Sequence, residues 1–357
     1  MVVSVQPPIW LKSLAQRVES RLSEFLQDEQ SRWSALDSDL GEPIGELIRL
    51  VSAGGKRLRP AFCQLAFVGA GGEETSTELL NAQAALELLH ASALLHDDVI
   101  DGSTTRRGEP TAHTRYFAKH IESKWSGEPR RFSEGAAILV GDLAFVYADQ
   151  LLTGANALTL KIWNEMRIEL NIGQYLDMLG SAQRERNLIK AERVCRYKSG
   201  KYTIERPLHL GATLAAPQRA DVLLEELSAY GLPLGDAFQM RDDVLGVFGQ
   251  GEVNLTGKPV GGDIRDGKPT PLLAMAYERA SASQRQVLDQ VGAPEINDAT
   301  ILQVQQVIQE TGALVALETK ITGAVLESVN AIKNSSLNKQ SIDQLIELAE
   351  FVAQRNN

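Results

Sequence analysis

The chain is poor in cysteine, has no long apolar run and carries no excess of positive charge. Two cysteines, Cys63 and Cys195, in 357 residues make neither a disulfide framework nor a Cys-rich zinc centre. With 36 Lys+Arg against 46 Asp+Glu the net charge is −10, which argues against a general nucleic-acid binder: that function needs a cationic footprint to displace counterions from phosphates. No stretch of about 18 residues is both apolar and uncharged, so no transmembrane helix is predicted. The opening MVVSVQPPIW lacks a cationic region followed by an apolar core and does not read as a signal peptide. These absences point to a cytoplasmic protein. Absent too are a nucleotide-binding glycine motif, a zinc signature, a serine nucleophile elbow and any repeat that would mark a solenoid.

Helix fills the chain. Apolar residues recur at three and four spacing, Ala and Leu are abundant, and alternating β-branched runs are nearly missing. The pattern predicts helices over Pro8–Asp28, Pro60–Val68, Thr77–Asp101, Gly135–Thr153, Leu158–Ser181 and Asp221–Val247, with several more from Thr270 onward. Gly127–Gly135 and the longer Gly249–Pro271 read as loops, and the second is the kind of long Gly/Pro-rich segment that is often functional. No compositional break splits the chain, so a single large all-α domain over 1–357 is expected.

Asn81–Asp101 (NAQAALELLHASALLHDDVID) is the most informative stretch. On a helical projection Gln83, Glu87, His90, Asp97 and Asp101 share a face, and the remainder is Leu, Ala and Val. A helix apolar nearly all round is buried, so its polar stripe is expected to face an internal wet cavity. Asp97, Asp98 and Asp101 also sit at the negative end of the helix dipole and need a cationic partner. Arg106 and Arg107 can supply it directly. Mg²⁺ fits equally well, since that ion takes one or two carboxylates, keeps waters and shares substrate phosphates; the arginines would then hold phosphate.

A second acidic helix end follows in FQMRDDVLG, where Asp242 and Asp243 share a face with Gln239. The loop after it carries Lys258 and Lys268 among glycines. Two such ends, each followed by basic residues, suggest two metal-plus-phosphate half-sites on one cavity. Further basic elements are GGKRLRP (Lys56, Arg57, Arg59), where Arg57 alone reads as part of a solvated turn, and RYKSGKYTIER (Lys198, Ser199, Lys201), where Gly200 can kink the helix. Gln174 and Asp177, three apart in GQYLDM, read as a structural pair.

Together GGKRLRP, LLHDDVIDGSTTRRGEPT, GQYLDM, KSGKYT, FQMRDDVLGVFG and GKPVGGDIRDGKPT occur in the order seen in the trans-isoprenyl diphosphate synthases, the polyprenyl synthetases. The chain resembles that family over about Gly54–Pro271, and looks most like its bacterial geranylgeranyl-forming members. The resemblance implies a large helical bundle with a deep central cavity (the isoprenoid synthase fold), usually homodimeric. It also implies Mg²⁺-dependent condensation of isopentenyl diphosphate with an allylic diphosphate (dimethylallyl, geranyl or farnesyl). Carried over to matching positions, Asp97, Asp98, Asp101, Asp242 and Asp243 would hold Mg²⁺ against the allylic diphosphate, gripped also by Arg106, Lys198 and Lys258. Lys56, Arg59, His90 and Arg107 would bind isopentenyl diphosphate. Lys198, Ser199 and Gln239 would present oxygens or charge near the developing allylic cation, and Lys268 would help close the site. The family's second motif normally ends in a further aspartate, whose place is taken here by Gly246.

Product length is expected to depend on the residues beneath the first cluster. In the family, aromatics four and five residues before the first aspartate stop growth at fifteen carbons. Here those positions are the small Ala93 and Ser92, with Leu89 a turn further down, which implies geranylgeranyl diphosphate. Farnesyl or longer polyprenyl synthases are the neighbouring alternatives. Three other readings fit less well. A metal phosphohydrolase using His90, His96 and Asp97 leaves GGKRLRP and the second cluster without a role. A terpene cyclase has no need of Lys56, Arg59 and Arg107. A non-catalytic subunit of a heteromeric synthase would be expected to lose more aspartates than the one at Gly246.

Overall fold

A computed structural model describes residues 6–249 and 261–354. In chain order its helices are α1 Ile9–Ser34, α2 Glu42–Ser52, α3 Leu58–Gly69, α4 Thr77–Ile100, α5 Ala112–Glu122, α6 Pro129–Leu151, α7 Ala157–Ala182 and α8 Leu188–Val194. A π-helix, Cys195–Glu205, leads into α9 Arg206–Ala215, α10 Ala220–Phe248, α11 Gly262–Asp266, α12 Pro271–Arg279, α13 Ala282–Leu288, α14 Asp298–Glu310, α15 Ala313–Lys333 and α16 Lys339–Gln354. The all-α class expected from the periodicity is the class observed. The only sheet among the described residues is one antiparallel pair, β1 Thr105–Arg106 with β2 Glu109–Pro110. Among these residues no helix is long and apolar enough to cross a membrane.

The strongly periodic helices fall where the pattern put them; α4 and α10 match within a residue or two. Gly127–Gly135 is a correction, because α6 already starts at Pro129. Glu128 caps it, its carboxylate accepting from the amides of Arg130 (3.0 Å) and Arg131 (2.6 Å), and Pro129 supplies a preset first turn. In the second expected loop, Gly262–Asp266 is a short helix between the left-handed Gly261 (φ +77°) and Gly267 (φ +68°). Residues 250–260, and with them Lys258, lie outside the described residues.

The chain clusters into two compact units. One comprises Ile9–Gln64 and Glu73–Asn156. Its centre is α4 against α6, and Leu79, Leu86, Leu88 and Leu89 are all at most 1% exposed. Each such leucine contributes about 1.5–3 kcal/mol through burial, which explains why α4 is apolar on most of its circumference. The other unit comprises Leu65–Gly72 and the chain from Ala157 onward. There α10 packs against α15 and the π-helix, with Met240, Val244 and Val247 turned into a core shared with Ile264, Leu272 and Leu317. That packing leaves Asp242 partly exposed next to a deeply buried Asp243.

Candidate active site

In the first unit, the aspartates stand on the last turn of α4 because the helix ends there in a well-formed C-terminal motif. Gly102 takes the left-handed conformation (φ +63°), its amide bonding Val99 O (3.3 Å), while the Ser103 amide bonds Asp98 O (2.9 Å). Asp97 is thereby held in the helix, with Asp101 as its cap, one turn away. The partly accessible strip of α4 runs His90, Ala93, Asp97, Asp101, at the spacing of one helical face. Two members of the expected polar stripe do not belong to it. Gln83 is buried and donates to Pro60 O (3.1 Å) and Gln64 (3.2 Å), and Glu87 is buried against Arg57. Ser92 and Leu89 are likewise closed into the packing, at 2% and 1% exposed, which leaves Ala93 as the small residue on the open face.

Cations meet this face from two sides. The β1–β2 hairpin turns through Arg107 (φ +54°) and Gly108 (φ +80°), the two left-handed residues that a two-residue hairpin turn requires. It delivers Arg106 to Asp98 (2.7 Å), with Asp97 at 3.7 Å. Arg107 instead donates to Gly54 O, across the GGK turn. A side chain added at Gly55 would come within 3.5 Å of Arg107 Nη2 and 3.8 Å of Arg57 Nη1, so guanidiniums crowd that turn. Burial and the charges of Arg59, Arg107, Arg106 and Arg57 push His90 well below its ordinary value, and its imidazole is neutral. Lys56 is exposed beside this cluster and Arg59 is partly exposed at the start of α3.

Arg57 corrects the reading of a solvated turn. It is buried, adopts φ +50°, pairs with Glu87, reaches Glu19 (3.3 Å) and donates to Val51 O (2.7 Å). His96, considered for metal binding, instead contacts Ile138 O (3.1 Å) and Asp142 (3.3 Å) on α6, where Gly141 leaves room for its ring.

In the second unit, Gln239 and Asp243 are one turn apart on α10, and the Gln239 amide nitrogen donates to Asp243 Oδ1 (2.8 Å). The Cys195 thiol donates to Asp243 Oδ2 (3.7 Å). Burial, then the negative charges of Asp263 and Asp242, drive the Asp243 carboxyl well above the usual carboxylate range; the Gln239 bond and the Lys268 charge oppose the shift without cancelling it. A cation bound there would relieve this crowding.

Lys198 and Ser199 stand on the π-helix, an element that often marks a functional site. Three glycines allow its backbone to touch two neighbours. A Cβ at Gly173 on α7 would lie 2.3 Å from Lys198 N, and one at Gly235 on α10 would lie 2.7 Å from Gly200 O. Lys198 pairs with Asp177 of α7, so the aspartate expected to pair structurally with Gln174 is a lysine anchor. Lys201 and Arg206 both close on the buried Glu169, Arg206 in two-pronged fashion at 2.6 and 2.7 Å.

The donors suit a hard divalent cation. Carboxylates a turn apart, each beside cations that can take phosphate oxygens, match an ion that uses one or two protein oxygens and completes its shell with water and substrate. Among the described residues no three His, Cys, Asp or Glu side chains converge as a ready-made cage, which such sharing does not require. Of the residues singled out from sequence, the first unit brings together Asp97, Asp98, Arg106, Arg107 and His90; the second brings together Gln239, Asp242, Asp243 and Lys268. Asp177, Asp263 and Arg57 carry no local signal in the sequence, for each takes its place only through a contact far along the chain.

The polyprenyl synthetase family model matches residues 44–311, well over half of the chain. A geranylfarnesyl diphosphate synthase of Aeropyrum pernix is 31% identical, over 77% of this chain and 82% of its own. A geranylgeranyl diphosphate synthase of Saccharolobus solfataricus is 31% identical over 86% and 88%. Among solved structures, geranylgeranyl pyrophosphate synthase of Corynebacterium glutamicum, complexed with isoprenyl diphosphate and magnesium, superposes with a TM-score of 0.90 at 35% identity, covering 97% of this chain and 99% of that one.

Proposed function

The chain belongs to the polyprenyl synthetase family and is a trans-prenyltransferase, and we propose that it condenses isopentenyl diphosphate with an allylic diphosphate to make the C20 product, geranylgeranyl diphosphate. The observation that carries this reading is the end of α4: Asp97 and Asp98 adjoin Arg106, and the next residue of the hairpin, Arg107, reaches Gly54 O of the GGK turn. Anion and cation sites stand side by side there, as a diphosphate held partly through metal requires.

In this proposal Asp97, Asp98, Asp101, Asp242 and Asp243 hold Mg²⁺, which when bound supplies countercharge to the departing diphosphate. Arg106 now balances Asp98; with that carboxylate otherwise compensated, the guanidinium turns to diphosphate oxygens alongside Lys198 and Lys258. Preorganised cations of this kind stabilise the negative charge that grows as the allylic C–O bond ionises. Lys56, Arg59, Arg107 and His90 hold isopentenyl diphosphate, His90 as a neutral hydrogen-bonding group. Ser199 and the Gln239 carbonyl face the developing cation, with Gln239 oriented by the bond from its amide nitrogen to Asp243. Lys268 closes over the site, which must exclude water because water quenches the cation. No protein nucleophile is required.

In this reading the small, accessible Ala93 one turn below Asp97 lets the product grow past C15, and Leu89 a turn deeper stops it at C20. The whole chain is read as a single catalytic domain, in keeping with a family match over residues 44–311. The protein works in the cytoplasm as a homodimer that covers Leu139 and Val146, exposed by 68% and 59% on α6. A product assay tests the reading: purified protein receives Mg²⁺, isopentenyl diphosphate and each allylic starter, and chain lengths are measured by mass spectrometry. A dominant C20 product is expected. C15 or C30 and above refutes the Ala93 argument, and no condensation by folded protein refutes the enzymatic role.

A further inference from the structure

Eleven residues, Cys195–Glu205, run as a π-helix, an element that is rare beyond a single turn, so something must hold its register. The run closes with a bond from the Arg206 amide to Lys201 O, five residues back. The side chains of those same two residues converge on one buried carboxylate. Lys201 pairs with Glu169 through Nζ, and Arg206 grips it at 2.6 and 2.7 Å. At 3.6 residues per turn, side chains five apart diverge by about 140°. The i→i+5 repeat of a π-helix returns them to one side. We propose that Glu169 is a positioning residue: by receiving both cations it fixes the π register, and so sets where Lys198 and Ser199 stand. The inference rests on the prenyltransferase reading above, which gives Lys198 and Ser199 their work.

The faces on either side fit that register alone. Glu169, Gly173 and Asp177 follow at four-residue spacing along one face of α7. Asp177 takes Lys198, Gly173 makes room for the Lys198 backbone, and Glu169 takes the far end of the π-helix. On α10 the matching face is Ser228, Gly231 and Gly235. Ser228 Oγ donates to Glu205 Oε1 (2.7 Å), and a Cβ at Gly231 would lie 2.9 Å from Glu205 Cα. Glu205 also stands 3.8 Å from Lys201 Nζ and 4.0 Å from Arg206 Nε. His209 accepts from Arg206 at Nδ1 (3.3 Å); burial and the Arg206 charge push its pKa down to about 3, so it adds no charge. Two carboxylates therefore face two cations. Apolar packing of the same volume would stabilise the fold as well as such a buried set does. What the charges supply is register, because a slip of one residue turns Lys201 and Arg206 off Glu169.

The test is steady-state kinetics of the full chain with Mg²⁺, varying isopentenyl diphosphate and farnesyl diphosphate in turn. Glu169→Gln/Lys201→Met removes one charge of each sign, strands neither, and leaves Arg206 without the shared carboxylate. Arg206→Lys, a second variant, keeps the charge and loses the two-pronged grip. A mere loss of folded protein lowers kcat and leaves both KM values where they were. Displacing Lys198, which grips the allylic diphosphate, is expected to raise KM for farnesyl diphosphate about 10- to 100-fold, the worth of one charge-assisted hydrogen bond. KM for isopentenyl diphosphate is expected to stay unchanged, since Lys56, Arg59, His90 and Arg107 lie on other elements. Both values are read on whatever fraction of the variant folds. A wild-type KM for farnesyl diphosphate in the double variant, or in Arg206→Lys should the double variant not fold, overturns the role of Glu169 and leaves the prenyltransferase reading standing. A joint rise of both KM values overturns that role too. No condensation by the wild-type chain overturns both role and reading.

Discussion

Replacing Arg57 with methionine removes the countercharge of Glu87 at a place water does not reach. The two side chains are 5% and 4% exposed, so the pair is outside the regime of screened surface bridges. Breaking such a pair strands one charge in low dielectric, at about 3–5 kcal/mol. Val51 O also loses its donor. The same reasoning makes Arg57→Met/Glu87→Leu less harmful than the sum of its parts, because neither charge is left behind. Equilibrium urea unfolding of wild type, both single variants and the double variant forms a thermodynamic cycle. A coupling of about 2–3 kcal/mol is expected from it. A single-variant loss below about 1 kcal/mol, the level of an exposed bridge, would refute the assignment of Arg57 as a buried strut, as would simple additivity. The surface arginine of a GGK turn would behave in that second way.

Three more outcomes are expected. Ala93→Phe places an aromatic ring on the open face one turn below Asp97 and should shift the products to C15 or shorter by mass spectrometry, whereas Ser92→Phe, aimed into packing, should mainly lower the melting temperature. Gly235→Ala puts a methyl 2.7 Å from Gly200 O, a backbone atom that cannot swing away; about 1–3 kcal/mol of stability should be lost in urea unfolding, together with turnover as Lys198 and Ser199 shift. Glu169 is buried, which favours its neutral form, but the bonds from Arg206 and Lys201 outweigh burial and hold its pKa below the ordinary value. Its stabilisation is therefore complete above the ordinary carboxylate range, near about pH 4.3, and declines as the pH falls below it. Glu169→Gln should lose about 3–5 kcal/mol at neutral pH, and the urea midpoints of variant and wild type should converge in acid.

The helices and the chemistry-bearing ends of two of them were legible in the sequence because their signals are local. A 3.6-residue period marks α4 and α10, and Gly102 after Asp101 marks where the first must stop. Likewise, paired aspartates late in a helix with a basic segment after it imply a compensating cation whatever the fold. Periodicity says which residues share a face but not which neighbour covers it. Gln83 and Glu87 share the stripe with Asp97, yet Pro60, Gln64 and Arg57 claim them. Arg57 and Lys56 are adjacent and chemically alike, and only the left-handed backbone at Arg57 turns one inward and leaves the other in solvent. The approach of Gly200 to Gly235 and the partnership of Lys198 with Asp177 depend on backbones brought together from distant segments. Gly246 shows the difference most directly. Read along the chain it is a lost carboxylate. In the folded chain the space beside it is taken by Asp263, whose Oδ2 lies 2.0 Å from where a Cβ would stand, because a side chain's place is set by what packs beside it and not by its number.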